Sequence, residues 1–124
     1  MNYDSIFVEH ANKTVRAGLI GAGQFGASFV AQVVRTPILD IPVVCDLDAE
    51  RAAAVFIAAG YAAGDVVIAE STPVALKALE LGKRVAVGDA GIVPQLPLDI
   101  IVEATGNPET AAAIGTLHWT RENI

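Results

Sequence analysis

Apolar residues come in short blocks along the chain, and the blocks alternate between two spacings. Val15–Ile20 is a compact apolar run ending on glycines, the pattern of a strand buried on both faces. Residues 24–35 place Phe25, Phe29, Val30, Val33 and Val34 on one side of a predicted helix, and Pro37 stops it. A second strand, rich in β-branched residues, is predicted over 41–45. Asp48 supplies an N-cap for a helix over 49–59, with Gly60 as its terminator. Val66–Ala69 reads as a third strand. Thr72 followed by Pro73 reads as the cap and first residue of a helix ending near Gly82. Arg84–Val87 is a fourth strand, 88–98 a loop holding Gly, Pro and Gln, and 99–104 a fifth strand. Asn107 and Pro108 repeat the cap-and-proline signal and predict a helix through about Leu117. Residues 1–14 form a polar lead-in with a short helix around residues 3–10. Strands alternating with helices predict an α/β fold with a mostly parallel sheet and helices on both faces.

The junction of the first strand and first helix carries the strongest chemical signal. It reads Gly21-Ala22-Gly23-Gln24-Phe25-Gly26, a Gly-x-Gly-x-x-Gly pattern placed directly between strand and helix. Each glycine then has a task. Gly21 permits the tight turn, Gly23 lets a pyrophosphate approach the backbone without a Cβ in the way, and Gly26 lets the helix pack close to the strand. The pyrophosphate would rest on the N–H groups of residues 22–26, where the helix dipole favours negative charge. Asp46 ends the second strand 20 residues after Gly26, the spacing of an acid that accepts hydrogen bonds from the adenosine ribose hydroxyls. A carboxylate there also repels a 2′-phosphate, which favours NAD. Asp48 competes for the ribose role, although a helix cap explains it. Arg51 stands close enough in sequence to neutralise a phosphate, although a solvated helix face explains it as well. The loop Thr105-Gly106-Asn107 follows the fifth strand. It belongs on the same sheet edge, where it would line the nicotinamide end of the cofactor, with helix capping as the plainer reading of Asn107. Ser71-Thr72-Pro73 competes for that place. Together these features predict a Rossmann-type, doubly wound domain over 15–124 that binds NAD or NADP.

Composition narrows the alternatives. The 124 residues are 53% hydrophobic and 18% charged, which suits a dense core and argues against disorder. Every apolar run is interrupted well short of the roughly 18–20 residues that cross a bilayer. Met1-Asn2-Tyr3-Asp4-Ser5 carries an acid and no basic cluster, so no secretory signal is read and a cytoplasmic location is expected. A net charge of −6 disfavours a nucleic-acid partner, whereas backbone N–H groups bind an anionic cofactor regardless of net charge. A single cysteine, Cys45, excludes an internal disulfide and a thiolate metal cluster, and no metal site is expected. His10 and His118 read as surface histidines, and no residue stands out as a nucleophile or general acid–base, so the catalytic residues stay unassigned.

Three stretches together carry a family resemblance. They are Val15-Arg16-Ala17-Gly18-Leu19-Ile20 with the glycine loop, Val44-Cys45-Asp46, and Ile101-Val102-Glu103-Ala104-Thr105-Gly106-Asn107-Pro108-Glu109. Over roughly residues 15–117 the chain resembles the N-terminal domain of homoserine-dehydrogenase-like oxidoreductases. Within these it looks like the branch carrying a SAF domain, which includes the 1-deoxy-D-xylulose 5-phosphate reductoisomerase-like group of isoprenoid biosynthesis. The resemblance implies NAD(P)-linked redox chemistry on a small carbonyl or hydroxyl substrate. It also implies a further domain that supplies catalysis and dimerisation, hence a homo-oligomer. On that reading the 124 residues are truncated, bind cofactor and do not turn over alone. The alternatives are a non-catalytic NAD(H)-sensing module and a domain of this fold that binds another ligand, such as coenzyme A.

Overall fold

The computed structural model describes residues 14–104 and 116–119. Six strands form one sheet: β1 (Val15–Ile20), β2 (Leu39–Cys45), β3 (Val66–Ala69), β4 (Arg84–Val87), β5 (Ile100–Glu103) and β6 (Thr116–Trp119). Among the described residues three helices lie between them: α1 (Gln24–Val33), α2 (Ala49–Ala58) and α3 (Thr72–Glu80). The strand order is β3-β4-β2-β1-β5-β6, with the first five parallel and β6 antiparallel to β5. The expected α/β, doubly wound architecture with a mostly parallel sheet is therefore present.

Alternation along the strands divides the interior into two apolar layers, as period-two side-chain placement requires. Ala17, Leu19, Val44, Ala86, Ile100 and Val102 face one side, where they meet Val30 and Val33 of α1 and Ala52, Val55 and Phe56 of α2. Val43, Cys45, Val85, Val87 and Ile101 face the other, against Ala75 and Ala78 of α3. The second layer also takes in Ile92, Val93, Leu96 and Leu98, all buried. The segment 88–98, expected as a loop, thus contains a 3₁₀ turn at Val93–Gln95 and covers the sheet where a helix otherwise would. Its apolar residues override its glycine and proline content.

Other expectations shift in detail. β2 begins two residues early, and Pro42 lies within it. The pairing slips there: Arg16 faces Asp40, but Gly18 faces Val43, so β2 spends one extra residue around a proline that has no N–H to give. α2 starts as predicted, with the Asp48 carboxylate accepting from the Glu50 N–H, and Gly60 follows it at φ +109°. Ser71, not Thr72, caps α3, its hydroxyl accepting from the Val74 N–H. The helix expected to run through about Leu117 does not include that residue, because Leu117 belongs to β6 and pairs with Val102. The outer edge of β5 presents backbone N–H and C=O groups that need partners, and a strand supplies them where a helix cannot. The expected helix at residues 3–10 and the start of the one at Asn107 lie outside the described residues.

Candidate nucleotide-binding edge

Strand register brings the predicted site residues to one edge of the sheet. Ile20, the last residue of β1, stands opposite Cys45 of β2 on one side and Glu103 of β5 on the other. Cys45 in turn faces Val87 of β4. Three further backbone bonds extend the ladder past the strand ends: Gly21 N–H to Cys45 O at 2.7 Å, Asp46 N–H to Val87 O at 3.1 Å, and Ala104 N–H to Ile20 O at 2.8 Å. The chain leaves β1 toward β2 on one side and returns to β5 on the other, so the glycine loop opens at the point where strand order reverses. Ligands of doubly wound sheets bind in that crevice, outside the carboxyl ends of the strands.

The three glycines of the loop differ in what demands them. Gly21 has φ +111°, a conformation that disfavours any side chain. A Cβ on Gly26 would run into the Gly21 carbonyl oxygen, so the helix could not sit this close to the turn. Gly23 has an ordinary extended backbone, φ −73° and ψ −171°. Among the described residues a Cβ there would meet nothing within 4 Å except the Arg51 guanidinium, at 3.8 Å. The fold itself therefore requires glycine at 21 and 26 and leaves 23 open. Gly23 is also the N-cap of α1 and offers no side-chain cap, so the first N–H groups of the helix have no side-chain cap at that residue. Gln24 and Phe25 form the first helical residues behind it.

Asp46 is partly buried and bonds on both oxygens. Oδ1 accepts from the Ala22 N–H at 3.1 Å, and Oδ2 accepts from the Asp48 N–H at 3.1 Å. The carboxylate thereby ties the turn after β2 to the glycine loop. Each oxygen retains a second lone pair for a further donor. Leu47, next to it, is 99% exposed. No spacing along the chain marks it, and its one sequence signal is an apolar residue placed directly after Asp46. Cys45 lies beneath this edge. Burial, then the charges of Asp46 and Asp89, push its thiol up to about 11.

Thr105, Gly106 and Asn107 fall outside the described residues. The strand that leads to them ends beside β1, with Ala104 buried and bonded to Ile20. Ser71 and Thr72, their competitors, open α3 behind the outer strand β3, which β4 and β2 separate from β1. A separate cavity of about 330 Å³ lies at the opposite end of the sheet, lined among others by Arg16, Asp40, Ile41, Tyr61 and Arg84. It shares no residue with the glycine edge. Among the described residues no helix is long and apolar enough to cross a membrane. No family model matches the chain, and no curated protein matches it.

Proposed function

We propose that the chain is an NAD(P)-binding domain of an oxidoreductase, holding a dinucleotide across the ends of β1, β2 and β5. Gly23 is the observation that carries this reading. Neither its backbone conformation nor packing among the described residues calls for a glycine at that position, whereas a phosphate approaching the start of α1 would. The N–H groups of residues 22–26 would cradle the pyrophosphate. Asp46 would accept from the adenosine ribose hydroxyls through its remaining lone pairs, and Leu47 would give the adenine an apolar surface to cover. Thr105, Gly106 and Asn107 would continue the site toward the nicotinamide. The bound cofactor would supply hydride transfer; the domain contributes binding and orientation.

The resemblance to homoserine-dehydrogenase-like and SAF-domain enzymes sets the substrate class in this proposal, a small carbonyl or hydroxyl compound presented by a further domain. Exposed Ile68 on the outer strand β3, with exposed Val74 and Leu76 on the helix packed behind it, supports a homo-oligomer. Calorimetric titration with NAD, NADH, NADP, NADPH and coenzyme A tests the core of the reading. Saturable binding of a nicotinamide dinucleotide is the expected result. Binding of coenzyme A alone, or of none of the five, overturns it.

A further inference from the structure

We infer that Arg51 is a side-chain clamp on the pyrophosphate, closing over the glycine loop from α2. The inference rests on the dinucleotide reading above and adds a cation to a site otherwise built from backbone. Arg51 is the third residue of α2, the helix that the Asp48 cap starts directly after the Asp46 turn. That placement carries its guanidinium back to Gly23, with Nη2 3.8 Å from where a Cβ would project. Among the described residues no other group comes within 4 Å of that position, so the side chain found beside Gly23 is a positive one. Arg51 is exposed and forms no ion pair among the described residues, so its donors are available.

Charge around the edge makes such a group consequential. Asp46, Asp48 and Asp89 follow the ends of β2 and β4, and the chain carries −6 overall. A pyrophosphate approaching this edge meets carboxylates, and helix-dipole attraction is modest where water screens it. A guanidinium offers two parallel N–H donors to phosphate oxygens and offsets that repulsion locally. The position favours the pyrophosphate over a ribose 2′-phosphate, because Arg51 lies against Gly23, where the loop backbone is most open to phosphate, and not against the Asp46 carboxylate that would face the ribose.

Titration of the full chain and its Arg51→Gln and Arg51→Lys variants with NADH, NADPH and ADP-ribose tests the clamp. Circular dichroism confirms folding of the variants, which alter an exposed side chain. Arg51→Gln is expected to weaken all three ligands by a similar factor, about tenfold, and to flatten the salt dependence of binding. Arg51→Lys is expected to recover part of the loss. Weakening of NADPH alone overturns the clamp and makes Arg51 a 2′-phosphate contact. Unchanged affinity for every ligand overturns the clamp while the dinucleotide reading stands. Wild-type protein that binds none of the three fails the dinucleotide reading itself, and the clamp with it.

Discussion

The Asp46 carboxylate crosses from the end of β2 to accept a hydrogen bond from the Ala22 N–H, at 3.1 Å, in the turn that follows β1. One side chain is thus both the proposed ribose ligand and the tie that holds the phosphate loop. Asp46→Ser is expected to lose in both respects. Removing the charged acceptor from Ala22 and Asp48 should cost roughly 1–2 kcal/mol of stability. NAD should weaken more than NADP, since a 2′-phosphate no longer meets a carboxylate. Dissociation constants for both cofactors, with urea unfolding of both proteins, check this. An unchanged NAD/NADP ratio would remove Asp46 from the ribose and leave Asp48 as the candidate.

Two glycines three residues apart should respond in opposite ways. At residue 23 the backbone is extended, and a Cβ meets no described atom closer than the flexible Arg51 guanidinium at 3.8 Å, so Gly23→Val is tolerable for the fold. It is expected to fold with little change in Tm and to lose dinucleotide binding. Gly26→Ala drives a methyl into the Gly21 carbonyl oxygen. It is expected to cost roughly 3 kcal/mol, because α1 must move off the turn. Thermal melts and cofactor titrations of the two variants separate the roles. A folded Gly23→Val variant of normal affinity would refute the pyrophosphate assignment.

Arg84 joins two strands and the loop after α2 at the opposite end of the sheet. It starts β4, pairs with Asp40 of β2 at 2.6 Å, and lies over the Tyr61 ring at 4.9 Å. Both partners of the pair are mostly sheltered, with 19% and 30% of their side chains exposed, so screening is incomplete. Arg84→Met is expected to destabilise the fold by about 1–3 kcal/mol through the stranded Asp40. Arg84→Lys should recover only part, since an ammonium reproduces neither the planar fork nor the ring stacking. Urea unfolding curves measure both.

Cys45 should be inert in the folded protein. With its thiol raised to about 11 from an ordinary 9.0, it is protonated at neutral pH and through pH 9. Iodoacetamide is therefore expected to label it slowly in buffer and rapidly in urea. The sign of the linkage follows from the same shift. The folded state keeps the proton that the unfolded state releases, so the contribution is fully present below about pH 9. It is lost as pH rises toward 11. Unfolding at pH 7.5 and pH 10 should show a fall in stability that Cys45→Ala lessens.

The sequence by itself determined the elements whose signals are local. Val15–Ile20, Val66–Ala69 and Arg84–Val87 appear with the predicted bounds, since each is a short apolar run closed by a glycine or a charge at its ends. The Asp48 cap is equally local: a carboxylate two residues from the N–H it accepts. Glycine spacing placed the loop, and the distance from Gly26 to Asp46 placed the acid. Nothing local announced that the Asp46 oxygens would already hold Ala22 and Asp48, that Arg51 would reach Gly23, or that Leu47 would stand bare. These depend on parallel pairing that sets Ile20 beside Cys45 across 25 positions of sequence. Where local signals fell short the origin is the same. Residues 88–98 form the expected loop, with a 3₁₀ turn at Val93–Gln95, yet they bury four apolar side chains, because the second face of the sheet must be covered. Leu117 joins a strand because β5 had an open edge to fill. Propensity and spacing act over a few residues, whereas burial and backbone pairing are satisfied only by the assembled sheet, and there the assembled sheet decided.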